Sequence, residues 1–205
     1  MTSEELANVY RYIYDNNLRK ASGLYASHSV RDHHFIDFIK NNVSKNATIL
    51  DASCGRGHLM RSLLKEGYKV KGTEIASSLF KNSLKGLEVS IMTYEELKSL
   101  GENSFDVVIS NDVLEHLLDE NALKDALKNL CYLSKKWLLT SIGMVKSTGY
   151  PERFNLAIPD LHTIVYPAEW WIDLLLKYTN KKYCVEDRSL FYFGTTRESV
   201  ANEIQ

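Results

Sequence analysis

The chain has 205 residues, 44% of them hydrophobic, and its 25 Lys and Arg nearly cancel its 26 Asp and Glu to leave a formal net charge of −1. That length builds one sizeable α/β domain with residues to spare for a cap. The charge balance, without any run of basic residues, argues against broad capture of a nucleic-acid backbone, and no apolar stretch approaches the ~20 residues that cross a bilayer. Cys54, Cys131 and Cys184 are odd in number and far apart, without metal or redox CxxC spacing. With no signal-peptide core at the start, they predict reduced thiols in a cytoplasmic protein.

Residues 1–43 read as a helical N-terminal cap. Ser3, Glu4 and Glu5 suit a helix start, and Leu6, Val9, Tyr10, Ile13 and Tyr14 continue one apolar face to about Asn16. A second helix is predicted over 31–40, with Phe35, Ile36 and Ile39 inward. Adjacent His33 and His34 point in different directions on such a helix, so joint metal ligation is not expected of them, and no metal site is predicted elsewhere. Strand, helix and strand then alternate from 48 onward. The spacing predicts strands over 48–50, 69–75, 87–92, 105–110, 137–142, 183–186 and 190–195, and helices over 59–66, 77–84, 121–132 and after Pro167. The segment 143–166 is longer than ordinary connections, which favours a lid.

The densest signal lies between Ala47 and Ile75. A short apolar strand runs into Asp51-Ala52-Ser53-Cys54-Gly55-Arg56-Gly57, a helix follows from Leu59, and the next strand ends in Glu74. This is a mononucleotide-binding βαβ half, with a carboxylate ~20 residues beyond the turn for a ribose hydroxyl. The dinucleotide fingerprint wants a third glycine where Met60 stands, which weakens a nicotinamide reading.

The pattern Asp51-x-x-Cys54-Gly55-x-Gly57 resembles motif I of class I S-adenosylmethionine (SAM)-dependent methyltransferases, and Asp112-Val113-Leu114-Glu115-His116-Leu117 resembles a segment common in their small-molecule members. One departure is Ser53, where that family usually has glycine. The resemblance covers Thr48 to about Thr195. It implies a Rossmann-like three-layer sandwich in one domain, residues 1–205. The core, 44–205, would hold a seven-stranded, mostly parallel sheet with the last strand antiparallel. It implies SAM as cofactor and S-adenosylhomocysteine as product, bound by Asp51, Ser53, Cys54, Gly55, Gly57, Glu74, Ile75, Thr93, Tyr94, Asn111 and Asp112. Tyr25, His28, Tyr150 and Arg153 are expected to line a small-molecule acceptor, because the N-terminal extension of such enzymes caps the site and 143–166 would close it.

A hydroxyl acceptor also needs a base, and His116 and His162 are the candidates, each with a structural hydrogen bond as the competing reading. Asp112 would orient the methionine amino group or the acceptor, or else cap the segment after it. The Asp/Asn-Pro-Pro-aromatic motif of nucleic-acid amino-methyltransferases is absent after the fourth strand. The expected function is therefore methyl transfer to an oxygen, less favourably a nitrogen, of a small molecule in bacterial surface-polysaccharide or secondary metabolism. A non-catalytic SAM-binding regulator and an RNA-modifying methyltransferase are the alternatives. The oligomeric state is left open.

Overall fold

A computed structural model describes residues 3–16, 30–76, 83–146, 160–178, 183–187 and 190–194. The helix expected from Ser77, the acceptor residues Tyr25, His28, Tyr150 and Arg153, and the middle of 143–166 lie outside the described residues.

Five parallel strands make the centre of the sheet. They are β1 (Thr48–Ala52), β2 (Lys69–Glu74), β3 (Val89–Ile91), β4 (Phe105–Asn111) and β5 (Ser134–Ser141). Two further strands, β6 (Tyr183–Asp187) and β7 (Leu190–Gly194), extend it beyond β5, giving the order β3-β2-β1-β4-β5-β7-β6. The strand β7 runs antiparallel to both β5 and β6.

Helices cover both faces because the central strands are apolar on both sides. Ile49 and Leu50, neighbours on β1, are fully buried on opposite faces. Ile49 joins Val107, Ile109 and Leu139 beneath α2 (Val30–Asn42) and α3 (His58–Lys65), which contribute Phe35, Ile39, Met60 and Leu63. Leu50 joins Val108 and Leu138 beneath α4 (Glu120–Leu133) and α5 (Ala168–Tyr178), which contribute Leu127, Leu130 and Trp171. The result is three layers. An N-terminal helix, α1 (Ser3–Asp15), buries Leu6, Ala7 and Ile13.

Local chemistry sets several boundaries. The Asp119 side chain accepts from the Asn121 and Ala122 amides at 2.8 and 2.9 Å and starts α4. The strand β5 begins at Ser134, three residues before the expected Trp137. The exposed pair Lys135 and Lys136 breaks the apolar run, and the strand passes them through a register shift against Phe105–Val107 of β4, where Ser134 Oγ donates to the Trp137 carbonyl at 2.7 Å. Among the described strands β3 pairs with β2 alone, and it is shorter than expected, with the Leu87 amide turning back to the Leu84 carbonyl.

Met60 explains the missing third glycine. It is fully buried against β2, and the space it needs comes from Gly72 on the strand. A Cβ on Gly72 would sit 2.6 Å from the Met60 sulfur and 3.0 Å from the Cys54 sulfur. The close helix–strand approach is kept, with the small residue moved from helix to sheet.

Candidate functional site

The strand order reverses direction between β1 and β4, and the crevice at the carboxyl ends of strands there is where open α/β sheets bind ligands. The turn after β1 is built from left-handed residues: Ser53 (φ 62°), Gly55 (φ 54°) and Gly57 (φ 73°). Ser53 therefore stands where glycine is conformationally natural, at a cost of about 1–2 kcal/mol. Gly57 is constrained twice, since a Cβ there would also lie 2.4 Å from Leu87.

Glu74 closes the end of β2 onto this turn. Its buried carboxylate accepts from the Gly55 amide at 2.8 Å, and from those of Ile75 and Ala76 at 2.9 Å each. The main-chain amide of Cys54 donates to the Thr73 carbonyl at 2.9 Å, and that of Ser53 to the Thr73 hydroxyl at 3.3 Å. Burial, then the carboxylates of Asp51 and Glu74, push the Cys54 thiol far up, which makes it inert as a nucleophile.

Asp51, at the end of β1, is 2% exposed. Burial first, then Asp32 and Glu74, push it up from 3.8 to about 8. Asp32 is a residue that sequence reasoning missed. It is buried on α2 and accepts from Asn111 Nδ2 at 2.9 Å, a contact spanning 79 positions with no local signature. Asn111 and Asp112 in turn share Ser141: its Oγ lies 2.6 Å from Asn111 Oδ1 and 2.9 Å from Asp112 Oδ1. Asp112 is itself left-handed, with φ 53°, and its amide donates back to that same Oγ at 2.9 Å. Three carboxyl groups, Asp32, Asp51 and Glu74, thus influence one another at this crevice, and a cationic ligand there would draw the proton off Asp51.

Of the residues expected after β3, Thr93 donates its amide to Glu96 at 2.8 Å. The Tyr94 side chain is buried in the core, with its hydroxyl 2.8 Å from Ser110 Oγ and 3.4 Å from the Ala52 carbonyl. The Tyr94 carbonyl accepts from Asn129 Nδ2 at 2.8 Å.

A second group of residues follows β4. Leu114–His116 form a single 3-10 turn, with Glu115 and His116 buried. The Glu115 carboxylate accepts from the Gly143 amide at 2.6 Å, and its carbonyl accepts from the amides of Thr163 and Ile164 at 2.9 and 3.1 Å. His116 Nδ1 is 2.7 Å from the Leu161 carbonyl, and His162 Nδ1 contacts the Val145 carbonyl. The two imidazoles meet edge-on at 4.8 Å, and Tyr10 of α1 lies edge-on to His116 at 5.7 Å. Both candidate histidines are therefore together, and both ends of the 143–166 segment are fastened to the Glu115–His116 turn. His33 and His34 lie elsewhere, on α2.

Residues 50–136 match a family described as a methyltransferase domain. A ubiquinone biosynthesis O-methyltransferase of Xylella fastidiosa is 32% identical over 154 residues, 71% of this chain and 58% of the relative. Its counterpart in Xanthomonas oryzae pv. oryzae is 31% identical over 119 residues, 55% of this chain and 48% of the relative. The chain thus spans about half the length of the curated relatives it matches. Among solved structures, a SAM-dependent methyltransferase from Archaeoglobus fulgidus superimposes with a TM-score of 0.60 at 23% identity, covering 76% of this chain and 68% of the other. The 1,6-didemethyltoxoflavin-N1-methyltransferase of Burkholderia thailandensis, solved with S-adenosylhomocysteine, gives 0.66 at 16% identity, covering 96% and 91%. Among the described residues, no helix is long and apolar enough to cross a membrane.

Proposed function

We propose that this chain, whose residues 50–136 match a family described as a methyltransferase domain, is a class I SAM-dependent methyltransferase that transfers the methyl group of SAM to an oxygen of a small molecule. The observation that carries the reading is the closure of the glycine turn by Glu74, with buried Asp51 beside it at the strand switch. SAM brings a cationic sulfonium and an ammonium. Asp51, its proton drawn off by the ligand's positive charge and with Asp32 and Asn111 behind it, supplies the negative field for the methionine end, and the Glu74 carboxylate at the end of β2 accepts from a ribose hydroxyl.

The sulfonium is already a strong electrophile, so the protein's main task is alignment, worth on the order of 7–11 kcal/mol in favourable cases. The oxygen–carbon bond forms as the carbon–sulfur bond breaks, and the electron pair stays on sulfur to give S-adenosylhomocysteine. The acceptor's proton must leave as well. His116 and His162, beyond the carboxyl end of β4, are where that proton is handled. Identity near 31% to enzymes named as O-methyltransferases supports oxygen over nitrogen. The Asn111-Asp112-Val113-Leu114 sequence, with no paired prolines, disfavours nucleic-acid bases.

Calorimetry with S-adenosylhomocysteine tests the assignment. The wild type should bind, and Glu74→Ala should lose roughly 1–3 kcal/mol of affinity through its charged hydrogen bonds. Unchanged affinity in a folded Glu74→Ala protein would overturn the reading. Binding without turnover on a panel of hydroxylated acceptors would assign the chain instead as a non-catalytic SAM-binding regulator.

A further inference from the structure

We propose that Asp32, on helix α2, is a positioning residue for the cofactor: by holding the Asn111 amide in one orientation it sets the hydrogen-bonding face that the methionine end of SAM meets. The inference rests on the methyl-transfer reading for the identity of the ligand. Its basis is a carboxylate in a place where packing alone would put an apolar side chain. Asp32, Phe35 and Ile39 fall at helical spacing on one face of α2, and all three are buried. Phe35 and Ile39 cover the sheet beside Ile49. The helix leads into β1 through a short connection, so its first turn stands at the carboxyl ends of the strands, where Asp32 meets Asn111 at the end of β4. Burying a carboxylate is costly unless it is hydrogen-bonded, although the first turn of a helix favours negative charge.

The contacts give the orientation. A carboxylate only accepts, so the Asn111 atom 2.9 Å from Asp32 Oδ1 is the amide nitrogen, and the amide oxygen faces the other way. That oxygen takes the Ser141 hydroxyl at 2.6 Å, nearer than Asp112 Oδ1 at 2.9 Å. Ser141 has one hydroxyl hydrogen, and its Oγ accepts from the Asp112 amide in turn. With the Asn111 amide reversed, its nitrogen would face Ser141 Oγ, and the hydroxyl hydrogen would turn to the Asp112 carboxylate.

Asp32 thus decides, through two side chains, whether that hydrogen lies on Asn111 or on Asp112, the residue held at φ 53° just beyond β4. A ligand ammonium needs acceptors, and the observed orientation keeps the Ser141 hydrogen from screening the carboxylate it would approach. The charge of Asp32 also reaches Asp51 at the end of β1, which sets it against both strands of the switch. A residue that only docked α2 onto the sheet would act on neither.

The test compares two ligands by calorimetry on the full chain. One is S-adenosylhomocysteine; the other is 5′-methylthioadenosine, which has the same adenine and ribose but lacks the amino-acid end, measured by its competition with the first. Asp32→Ala should weaken S-adenosylhomocysteine at least about tenfold, the scale of a hydrogen bond to a charged group, and 5′-methylthioadenosine by no more than about twofold. Asp32→Asn keeps an oxygen that accepts from Asn111 and should recover most of the loss. Because Asp32 acts through Asn111, adding Asp32→Ala to Asn111→Ala should cost less than about a further twofold. Melting curves establish that each variant is folded, and Asp32→Ser, a shorter polar side chain, carries the same comparison if Asp32→Ala unfolds. Equal losses for the two ligands overturn the positioning role, as do additive losses with Asn111→Ala or an Asp32→Asn protein that binds no better than Asp32→Ala. A wild type that binds neither ligand overturns the methyl-transfer reading itself, whereas a wild type that binds both, with folded Asp32 variants unchanged, removes the role of Asp32 alone.

Discussion

The two halves of the crevice are built in opposite ways. The half that runs from Asp51 to Ala76 is local: strand, turn, helix and strand follow each other, and Glu74 ties the turn down by accepting amides from its own neighbourhood. The half around His116 is assembled from distant pieces, with Gly143, Leu161, Thr163 and Ile164 all converging on one 3-10 turn. A cofactor common to many enzymes can be served by a compact local motif. On the proposed methyl-transfer reading, the acceptor falls to the second half, whose pieces come from connections between elements.

The largest expected effect breaks the two halves apart. His116→Ala should cut turnover by about 10²–10⁴-fold, the scale of general base catalysis. Its affinity for S-adenosylhomocysteine should change little, as measured by calorimetry on the same preparation. If affinity falls in step with turnover, the halves are not separable.

A purely structural change probes the local half. Gly72→Ala forces a methyl group against Met60 and Cys54, at 2.6 and 3.0 Å, and should destabilise the fold by about 1–3 kcal/mol in denaturant melts. Pairing it with a smaller residue at Met60 should recover part of that loss. A single substitution that melts like the wild type would show that Met60 moves aside at no cost.

The electrostatics of the cofactor half have a definite sign. Asp51 is pushed up to about 8 from 3.8, so between those values the folded, unliganded protein holds a proton that the unfolded chain releases. Stability should therefore fall as pH rises from about 4 to about 8, by at most ~1.4 kcal/mol per pH unit from this group. The groups responsible are burial itself, Asp32 from α2 and Glu74 from β2. A cationic ligand favours the carboxylate, so affinity for S-adenosylhomocysteine should rise toward pH 8 with release of up to about one proton. Calorimetry in buffers of different ionisation enthalpy measures that release, and a buffer-independent heat would place the ligand's ammonium away from Asp51.

The smallest effect sharpens the comparison with the family's usual glycine. Ser53 sits at φ 62°, and Ser53→Gly should stabilise the protein by about 1 kcal/mol through relief of left-handed strain. Thermal melts read this directly. A loss of stability would mean that the Ser53 side chain contributes more than its backbone strain costs.

Much of the molecule is legible in its residues because the underlying signals are short in range. Apolar runs such as Val107-Val108-Ile109, the turn glycines and Glu74 at a strand end each report a local conformational requirement, and the order of elements follows from them. The misjudged boundaries lie where neighbours in space override local pattern: β5 continues through two exposed lysines because Ser134 pairs with Phe105 of β4 across a register shift, and Met60 replaces a glycine because Gly72 makes room. Asp32 against Asn111, and His162 against His116, were decided only by tertiary structure. Each joins residues tens of positions apart, and a single chain carries no record of which distant side chains its packing will bring within a few ångströms. The sequence by itself determined the fold, the glycine turn and the kind of cofactor they suit. The buried carboxylate behind Asp51 and the pairing of the two histidines with Glu115 exist only because the sheet closes and α2 and residues 160–164 dock against it.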